Sequence, residues 1–277
     1  MNQKTTPDAN NCINADAIIK YLADCELADC PVTTFDQVDA MYAPAALMND
    51  SSDSETGPMG AVVASTLFAF ADGVSSQTRE DVKDAFLLAQ LVADKAFPNE
   101  NEADLWYGKY KEVLSTIGWL STRWRYARYN ATLQKFTMDE VGLEILGSAI
   151  AAAALPGPAS VAMLKVAKDA VTALSARKEP LRIFESQTKR HLGANFRMAV
   201  CTETPEGDVS ISMGVVTFQA NTRVTNVLFW EWQNSDVETY QGENNLELNS
   251  RVYAEARKYV QGKLVGRIAG AVAEFDI

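Results

Sequence analysis

Histidine is nearly absent from this sequence, since His191 is the only one in 277 residues. Cysteine is scarce too, and the four cysteines, Cys12, Cys25, Cys30 and Cys201, have spacings that fit no zinc-binding pattern. We therefore expect no metal site. For the three N-terminal cysteines, a disulfide in an oxidising compartment and free thiols in a reducing cytoplasm both remain open.

Positive charge is also in short supply. The chain carries 36 acidic residues against 25 Lys and Arg, which gives a formal net charge of −11. Nucleic-acid affinity rests on clustered positive charge, so this balance disfavours a nucleic-acid partner. It likewise disfavours electrostatic attraction to anionic lipid, and any membrane contact would have to be apolar.

Long hydrophobic runs are missing as well. A membrane span needs roughly 20 apolar residues, and the nearest approaches are Pro58–Ala71 and Ile145–Leu155. Both are better interpreted as buried core helices. The N-terminus has no apolar core of the kind that a secretory signal peptide requires, and residues 1–14 are predicted to be a flexible tail.

What the sequence does contain is apolar periodicity, mostly of the helical kind. Ser76 is a candidate cap for one helix, and Thr137 with Glu140 forms a capping box at the start of another. The predicted helices cover residues 15–28, 60–72, 75–97, 103–129, 137–155, 159–177 and a closing helix that starts at Asn249 or Ser250 and includes Phe275.

Strand-like composition begins near residue 192, where Val, Ile, Phe and Trp become frequent. The predicted strands are Phe196–Thr202, Val209–Phe218 and Thr225–Trp232, with weaker candidates at Val237–Tyr240 and Leu246–Leu248. These patterns predict the α+β class: a mostly helical N-terminal two thirds packed on a small antiparallel sheet, with a closing C-terminal helix.

The predicted organisation is a single α+β domain over residues 15–277. Its helical part covers about 15–190, and the sheet with the final helix covers about 191–277. We see no internal repeat that would suggest a different arrangement.

Cys201 is the residue of greatest functional interest, because it lies at the end of the first predicted strand and far along the chain from the other three cysteines. Alternation along a strand puts it on one face with Arg197 and Ala199. If the neighbouring strand placed its small residues Ser210, Ser212 and Gly214 on that face, the thiol would stand at the edge of a shallow trough. Sequence does not fix this register, and a plain buried core cysteine is the alternative.

Three other catalytic or binding interpretations can be stated. A cysteine hydrolase would need His191 within hydrogen-bond reach of the Cys201 thiol. The segment 119–129 interleaves arginines with aromatics, which could stack on bases or sit at a lipid interface, but core aromatics with solvated arginines is the simpler interpretation. Glu231 lies between two tryptophans, and no second acid is marked by spacing for general acid–base work.

The order of these parts resembles the Erwinia virulence factor family, bacterial proteins linked to persistence in an insect gut. The resemblance is one of arrangement: a helical first two thirds, a lone cysteine in the strand segment Phe196–Cys201, the segment Val227–Trp232 and a long final helix. The resemblance implies an α/β fold in which a central cysteine carries thioester-linked palmitate in an apolar tunnel. By position, Cys201 would be that S-acylated residue.

The function that the resemblance implies is a non-enzymatic, lipid-carrying bacterial virulence protein that acts at host membranes. Its cofactor would be a covalently bound palmitate or similar fatty acid, and its place the bacterial cytoplasm, with release or delivery to a host and membrane association when acylated. The alternative is a cysteine-dependent acyltransferase or thioesterase that uses Cys201, with His191 as its base. His191→Ala discriminates between them, because only the enzyme needs the imidazole.

Overall fold

An eight-stranded sheet with helices on both of its faces organises the molecule. We describe it from a computed structural model of the chain, which covers residues 15–29, 57–99, 102–130, 134–153, 157–190, 192–222, 224, 226–268 and 270–277, with the Arg190 side chain left aside. The α+β class is confirmed.

Seven helices lie in the described part of the chain. They are α1 (Ala15–Asp24), α2 (Ser76–Ala96), α3 (Ala103–Thr116), α4 (Met138–Ala152), α5 (Gly157–Ala176), α6 (Lys178–Thr188) and α7 (Ser250–Leu264).

The strands are spread over the whole chain. They are β1 (Met59–Val63), β2 (Thr66–Phe70), β3 (Trp119–Arg128), β4 (Lys135–Phe136), β5 (Lys189–Arg190), β6 (Gly193–Glu203), β7 (Val209–Ala220), β8 (Trp232–Gln233), β9 (Val237–Leu248) and β10 (Val272–Asp276). The main sheet runs in the order β10-β1-β2-β6-β7-β9-β3, with β5 paired to β6, and β4 pairs with β8 separately.

The sheet is mixed rather than purely antiparallel, because β2 and β6 run parallel while the other pairs of described strands are antiparallel. Each face has its own apolar cluster. One cluster packs under α1, α2, α3 and α7 and includes Phe68 and Cys201. The other packs under α4, α5 and α6 and includes Leu67 and Val200. Alternation along each strand distributes neighbouring residues between the two.

Two predicted helices are wrong in whole or in part. Residues 60–72 form the hairpin β1–β2, turned at Ala64 and Ser65, and not a helix. The predicted helix over 103–129 ends at Thr116, and β3 follows. Gly118 lies between them with φ +105°, and a Cβ there would sit 3.1 Å from the Asn249 carbonyl oxygen, so glycine ends the helix and turns the chain.

The C-terminal part also differs from the prediction. Residues 227–231 form no strand, and only Trp232 and Gln233 pair, with β4. The two weak candidates at 237–240 and 246–248 are one continuous strand, β9. The closing helix stops at Leu264, and the described chain ends in an edge strand, β10, against β1.

Other predictions are confirmed at the level of elements. Helix α2 occupies the predicted place, although Ser75 and not Ser76 caps it, accepting the Thr78 N–H at 3.2 Å. The Thr137 N–H donates to the Glu140 carboxylate at 3.0 Å at the start of α4. The predicted tail over residues 1–14 lies outside the described residues, as do residues 30–56.

Candidate functional site

Cys201 sits near the end of β6, a strand in the middle of the sheet. It lies opposite Ile211 of β7 on one side and beside Phe70 of β2 on the other. Residues opposite each other in a ladder point to the same face, so all three side chains enter the cluster under α2 and α3. The thiol is therefore flanked by large apolar groups.

The predicted trough beside Cys201 is wrong. The register pairs Ala199 and Cys201 with Met213 and Ile211, the large set of β7. The small residues, Ser212 and Gly214, face the other way, and α4 fills the space above Gly214. Register depends on contacts between distant segments, which is why strand composition did not determine it.

The environment of the thiol lowers its reactivity in this conformation. Cys201 is completely buried, and burial raises the pKa of its thiol far above the ordinary value. The negative charge of Glu203 raises this pKa further, and the positive charge of Arg79 lowers it. A thiol must lose its proton to act as a nucleophile. In this conformation Cys201 is not poised for catalysis.

The proposed base His191 lies outside the described residues. The backbone of its neighbours, Arg190 and Leu192, lies at the start of β6, with Arg190 paired to Gly193. Cys201 is eight residues further along the strand from Gly193, about 26 Å at the usual rise. The flanking chain therefore gives no support to a Cys201–His191 pair.

A second thiol shares the apolar cluster of Cys201. Cys25 follows α1, is 9% exposed and is a free cysteine. Burial raises the pKa of its thiol, and the nearby Lys109 counteracts part of that effect. Cys12 and Cys30 lie outside the described residues, so for these two a disulfide and free thiols both remain open.

Arg197 is a feature of this face whose role the sequence did not suggest. It is completely buried in β6, with its guanidinium carbon 4.9 Å from the centre of the Trp106 ring and 4.8 Å from that of Tyr110. Its Nε donates to Thr66 Oγ1 at 2.8 Å, and its Nη2 donates to Ser65 and Gln90. Nη1 is buried without a hydrogen-bond partner among the described residues.

The signal that could have identified Arg197 was present in the sequence. It is the one charged residue in the apolar segment Phe196–Cys201, and a buried strand admits a cation only when polar or aromatic partners surround it. Those partners come from β2, α2 and α3, which are distant in the chain. Sequence spacing therefore did not reveal them.

An open cleft of about 830 Å³ lies at the end of the sheet where β6 begins and β7 ends. Asp94 and Trp106 line it from α2 and α3, Gln187 from α6, and Asn195 and Thr217 from the sheet. Cys201, six residues after Asn195 and about 20 Å away along the strand, does not line it. The apolar tunnel that the resemblance implies at the thiol stays a prediction.

The lining side chains Trp106, Gln187 and Asn195 form the floor of this cleft, and polar contacts hold two of them. The Tyr107 hydroxyl donates to Asn195 Oδ1 at 2.6 Å, and Trp106 Nε1 donates to Asp94 Oδ1 at 2.7 Å. Gln187 is 8% exposed, and its Nε2 is buried with no hydrogen-bond partner among the described residues. Two side-chain amides, those of Gln187 and Asn195, therefore lie at the floor of the cleft.

The arginine-rich aromatic segment lies on a strand and not on a helix. In β3, Arg123, Arg125 and Arg128 are exposed, whereas Trp124 and Tyr126 pack on Tyr107. The interpretation of packed aromatics with solvated arginines therefore agrees with the fold.

Glu231 pairs with Lys135 at 2.7 Å on the surface. Within the described ranges, no three His, Cys, Asp or Glu side chains group closely enough to hold a metal ion. No helix in the same ranges has the length and apolar character needed to span a membrane.

Comparison with known proteins gives little more. No family model matches the chain, and no curated protein matches it. Among solved structures, the structure of the Evf virulence factor aligns over 90% of this chain and 89% of its own, with 10% sequence identity and a TM-score of 0.33. This is a weak structural relationship, and a TM-score of this size does not establish a common fold.

Proposed function

We propose that this protein is a non-enzymatic carrier of one fatty acyl chain, palmitate or a similar acid, held as a thioester on Cys201. The observation that carries the proposal is the complete burial of this thiol within an apolar cluster on a central strand. A thioester at this position is shielded from water and from other nucleophiles. Shielding is what a carrier needs to keep its acyl group.

The same burial disfavours the enzyme alternative. An acyltransferase or thioesterase needs a thiolate that forms and reforms at each turnover, together with a base beside it. The pKa of the Cys201 thiol is raised, and the thiol lies within an apolar cluster. A thiol acylated once needs no such machinery.

The acylation step is a thioester exchange. The Cys201 sulfur forms a bond with the acyl carbonyl carbon of an acyl thioester donor, the donor's carbon–sulfur bond breaks, and the Cys201 proton leaves with the donor thiol. Because the thiol is buried in the conformation described, side chains of the cluster must move before this exchange. The acyl chain then occupies the space that repacking opens.

Burial of the chain supplies the free energy for this repacking. Each buried methylene contributes about 0.8 kcal/mol, so a palmitoyl chain gains on the order of 12 kcal/mol. Overpacking a core costs about 1–3 kcal/mol per site. Release of the chain outward would give membrane affinity to a protein with a net charge of −11.

A virulence role at host membranes belongs to the same proposal. It follows what the resemblance in the order of parts implies, and it accounts for a lipid on a protein whose charge gives no attraction to anionic bilayers. The acylated protein would associate with membranes when the chain is exposed.

Intact-mass spectrometry of the protein from its native cell tests the proposal. A palmitoyl thioester adds about 238 Da, and neutral hydroxylamine removes it. We expect Cys201→Ala to abolish the added mass, with the fold checked by circular dichroism.

Cys25→Ala is the matched control, because Cys25 is a buried thiol of the same cluster. It should leave the added mass in place. An unmodified native mass, or an adduct that survives Cys201→Ala, would contradict the proposal. Continuous turnover of an acyl thioester that His191→Ala stops would favour the enzyme instead.

A further inference from the structure

We propose that the cleft at the start of β6 binds a neutral, polyhydroxylated ligand, a sugar. The site is separate from Cys201, and the inference does not rest on the acyl chain. It rests on the polar atoms of the floor, on the charges of the rim and on the size of the cleft, about 830 Å³, which lies in the range of small-molecule sites.

The floor calls for a ligand that accepts hydrogen bonds. The buried Nε2 of Gln187 carries two N–H donors and has no partner among the described residues, and leaving such a group unpaired is unfavourable. Asn195 Oδ1 already accepts from Tyr107, which leaves the amide NH₂ of Asn195 as its group for a ligand. An apolar ligand would cover these donors without satisfying them.

The negative charges of the described acidic side chains at the rim of the cleft disfavour an anionic ligand. The carboxylates of Asp29, Asp94, Asp236 and Glu238 line the cleft. Among the described lining residues the one cation, Arg128, already pairs with Glu238 at 3.3 Å. A carboxylate or phosphate entering the cleft would meet an excess of its own charge.

The floor also disfavours a cation. The guanidinium of Arg197 lies against the Trp106 ring, 4.9 Å from its centre, so positive charge lies directly behind that wall of the cleft. The amide donors of Gln187 and Asn195 would face a group with no acceptor. A cation would satisfy only the rim.

Sugar hydroxyls suit both the amide donors of the floor and the carboxylates of the rim, because each hydroxyl donates one hydrogen bond and accepts others. Their oxygens accept from the amides of Gln187 and Asn195, and their protons donate to the rim carboxylates. Trp106 is fixed by its bond to Asp94 and by stacking on Tyr110, with an angle of 18° between the ring planes. The site is thus preorganised and loses little side-chain entropy on binding.

Isothermal titration calorimetry of the full chain tests the inference. The probes are the neutral oligosaccharides maltotriose, cellotriose and chitotriose, with spermidine and citrate as charged comparators. We expect at least one saccharide to bind at a single site and neither comparator to compete with it. Gln187→Met, which keeps the shape of the side chain and removes its amide, should weaken binding about tenfold.

Gln233→Met is the matched control, because Gln233 is exposed and does not line the cleft. It should leave affinity unchanged. Hydrogen exchange of the wild-type chain supplies a readout independent of any variant, and the saccharide should protect the end of α6 and the first residues of β6. Absence of binding by all three saccharides at about 10 mM, well above a weak Kd of about 1 mM, would overturn the inference. Saccharide affinity that is unchanged in Gln187→Met would also overturn the inference. So would binding of spermidine or citrate instead of the saccharides.

Discussion

Asp84 is a carboxyl group that folding removes from water. It lies on α2, is 7% exposed, and burial raises its pKa above the usual 3.8. Glu80 and Asp81 raise the pKa further, while a hydrogen bond from Gln261 and the charge of Lys83 lower it. The folded state therefore holds this proton more tightly than the unfolded state.

This shift fixes the sign of a pH dependence. Between pH 3.8 and the higher folded-state pKa, the folded protein binds more protons at Asp84 than the unfolded chain, so stability falls as pH rises through that window. We expect Asp84→Asn to raise the melting temperature at pH 7 and to have no such effect near pH 3.8. Thermal unfolding followed by circular dichroism at both pH values measures this.

Asp208→Asn removes the same charge from an exposed position in the β6–β7 turn and serves as the control. It should produce no comparable gain at pH 7. A gain from Asp84→Asn that persists undiminished near pH 3.8 would refute the titration argument.

Arg197 shows how a buried cation is tolerated. Removal from water costs several kcal/mol, and among the described residues no carboxylate forms an ion pair with it. Three oxygen acceptors and two stacked aromatic rings replace the missing counterion. The residue ties β6 to β2, α2 and α3 through one side chain.

At the scale of elements, the contact of α4 with β7 depends on a missing side chain. A Cβ on Gly214 would lie 2.7 Å from the backbone nitrogen of Leu146, and a helix backbone cannot yield locally as a flexible side chain can. The helix as a whole would have to move away from the sheet. The small residues of β7 thus serve close packing of a helix.

Gly214→Ala is therefore expected to lower the free energy of unfolding by about 1–3 kcal/mol. Gly147→Ala is the matched control, since a Cβ at this position of α4 would meet only the side chain of Leu164 on α5, at an ordinary contact distance of 3.8 Å. It should raise stability by up to about 1 kcal/mol through helix propensity. Urea unfolding followed by circular dichroism compares the two, and equal effects would contradict the packing argument.

At the scale of the whole molecule, one sheet supports both helical layers. The strands β2, β6 and β7 contribute alternate side chains to the two apolar clusters, so neither layer can separate without exposing the strands that the other needs. The single domain over residues 15–277 remains a prediction from the sequence. The shared sheet gives it a physical basis.

We expect the chain to unfold in one cooperative transition. Tryptophan fluorescence and far-ultraviolet circular dichroism should give the same midpoint in urea, because Trp119 lies in one cluster and Trp232 in the other. Hydrogen exchange should show α2 and α4 opening together. Loss of the α4–α6 layer at a lower urea concentration than α2 would indicate two units.

The elements that were predicted correctly carry their signals locally. Helix α2 has a cap and an apolar stripe, and α4 has its capping box. The hairpin β1–β2 was missed because its strands are buried on both faces, and a short apolar run without alternation looks the same in a strand and in a buried helix. The segment of β3 was missed because its apolar spacing continues that of α3.

The candidate site divides in the same way. Alternation along β6 placed Arg197, Ala199 and Cys201 on one face, and the structure agrees. The predicted trough failed because it depended on the register of β7. The cleft was not foreseen at all, since Asp94, Gln187 and Asn195 come from three separate elements.

The sequence by itself determined the α+β class, the absence of a long apolar run, the isolation of Cys201 and the face of β6 on which it lies. Each of these depends on composition or on the repeat of one segment, which neighbouring residues in the chain specify. Only the tertiary structure decided the register against β7, the parallel pairing of β2 with β6, the partners of Arg197 and the polar floor of the cleft. Those depend on contacts between segments far apart in the chain, and such contacts leave no period in the sequence.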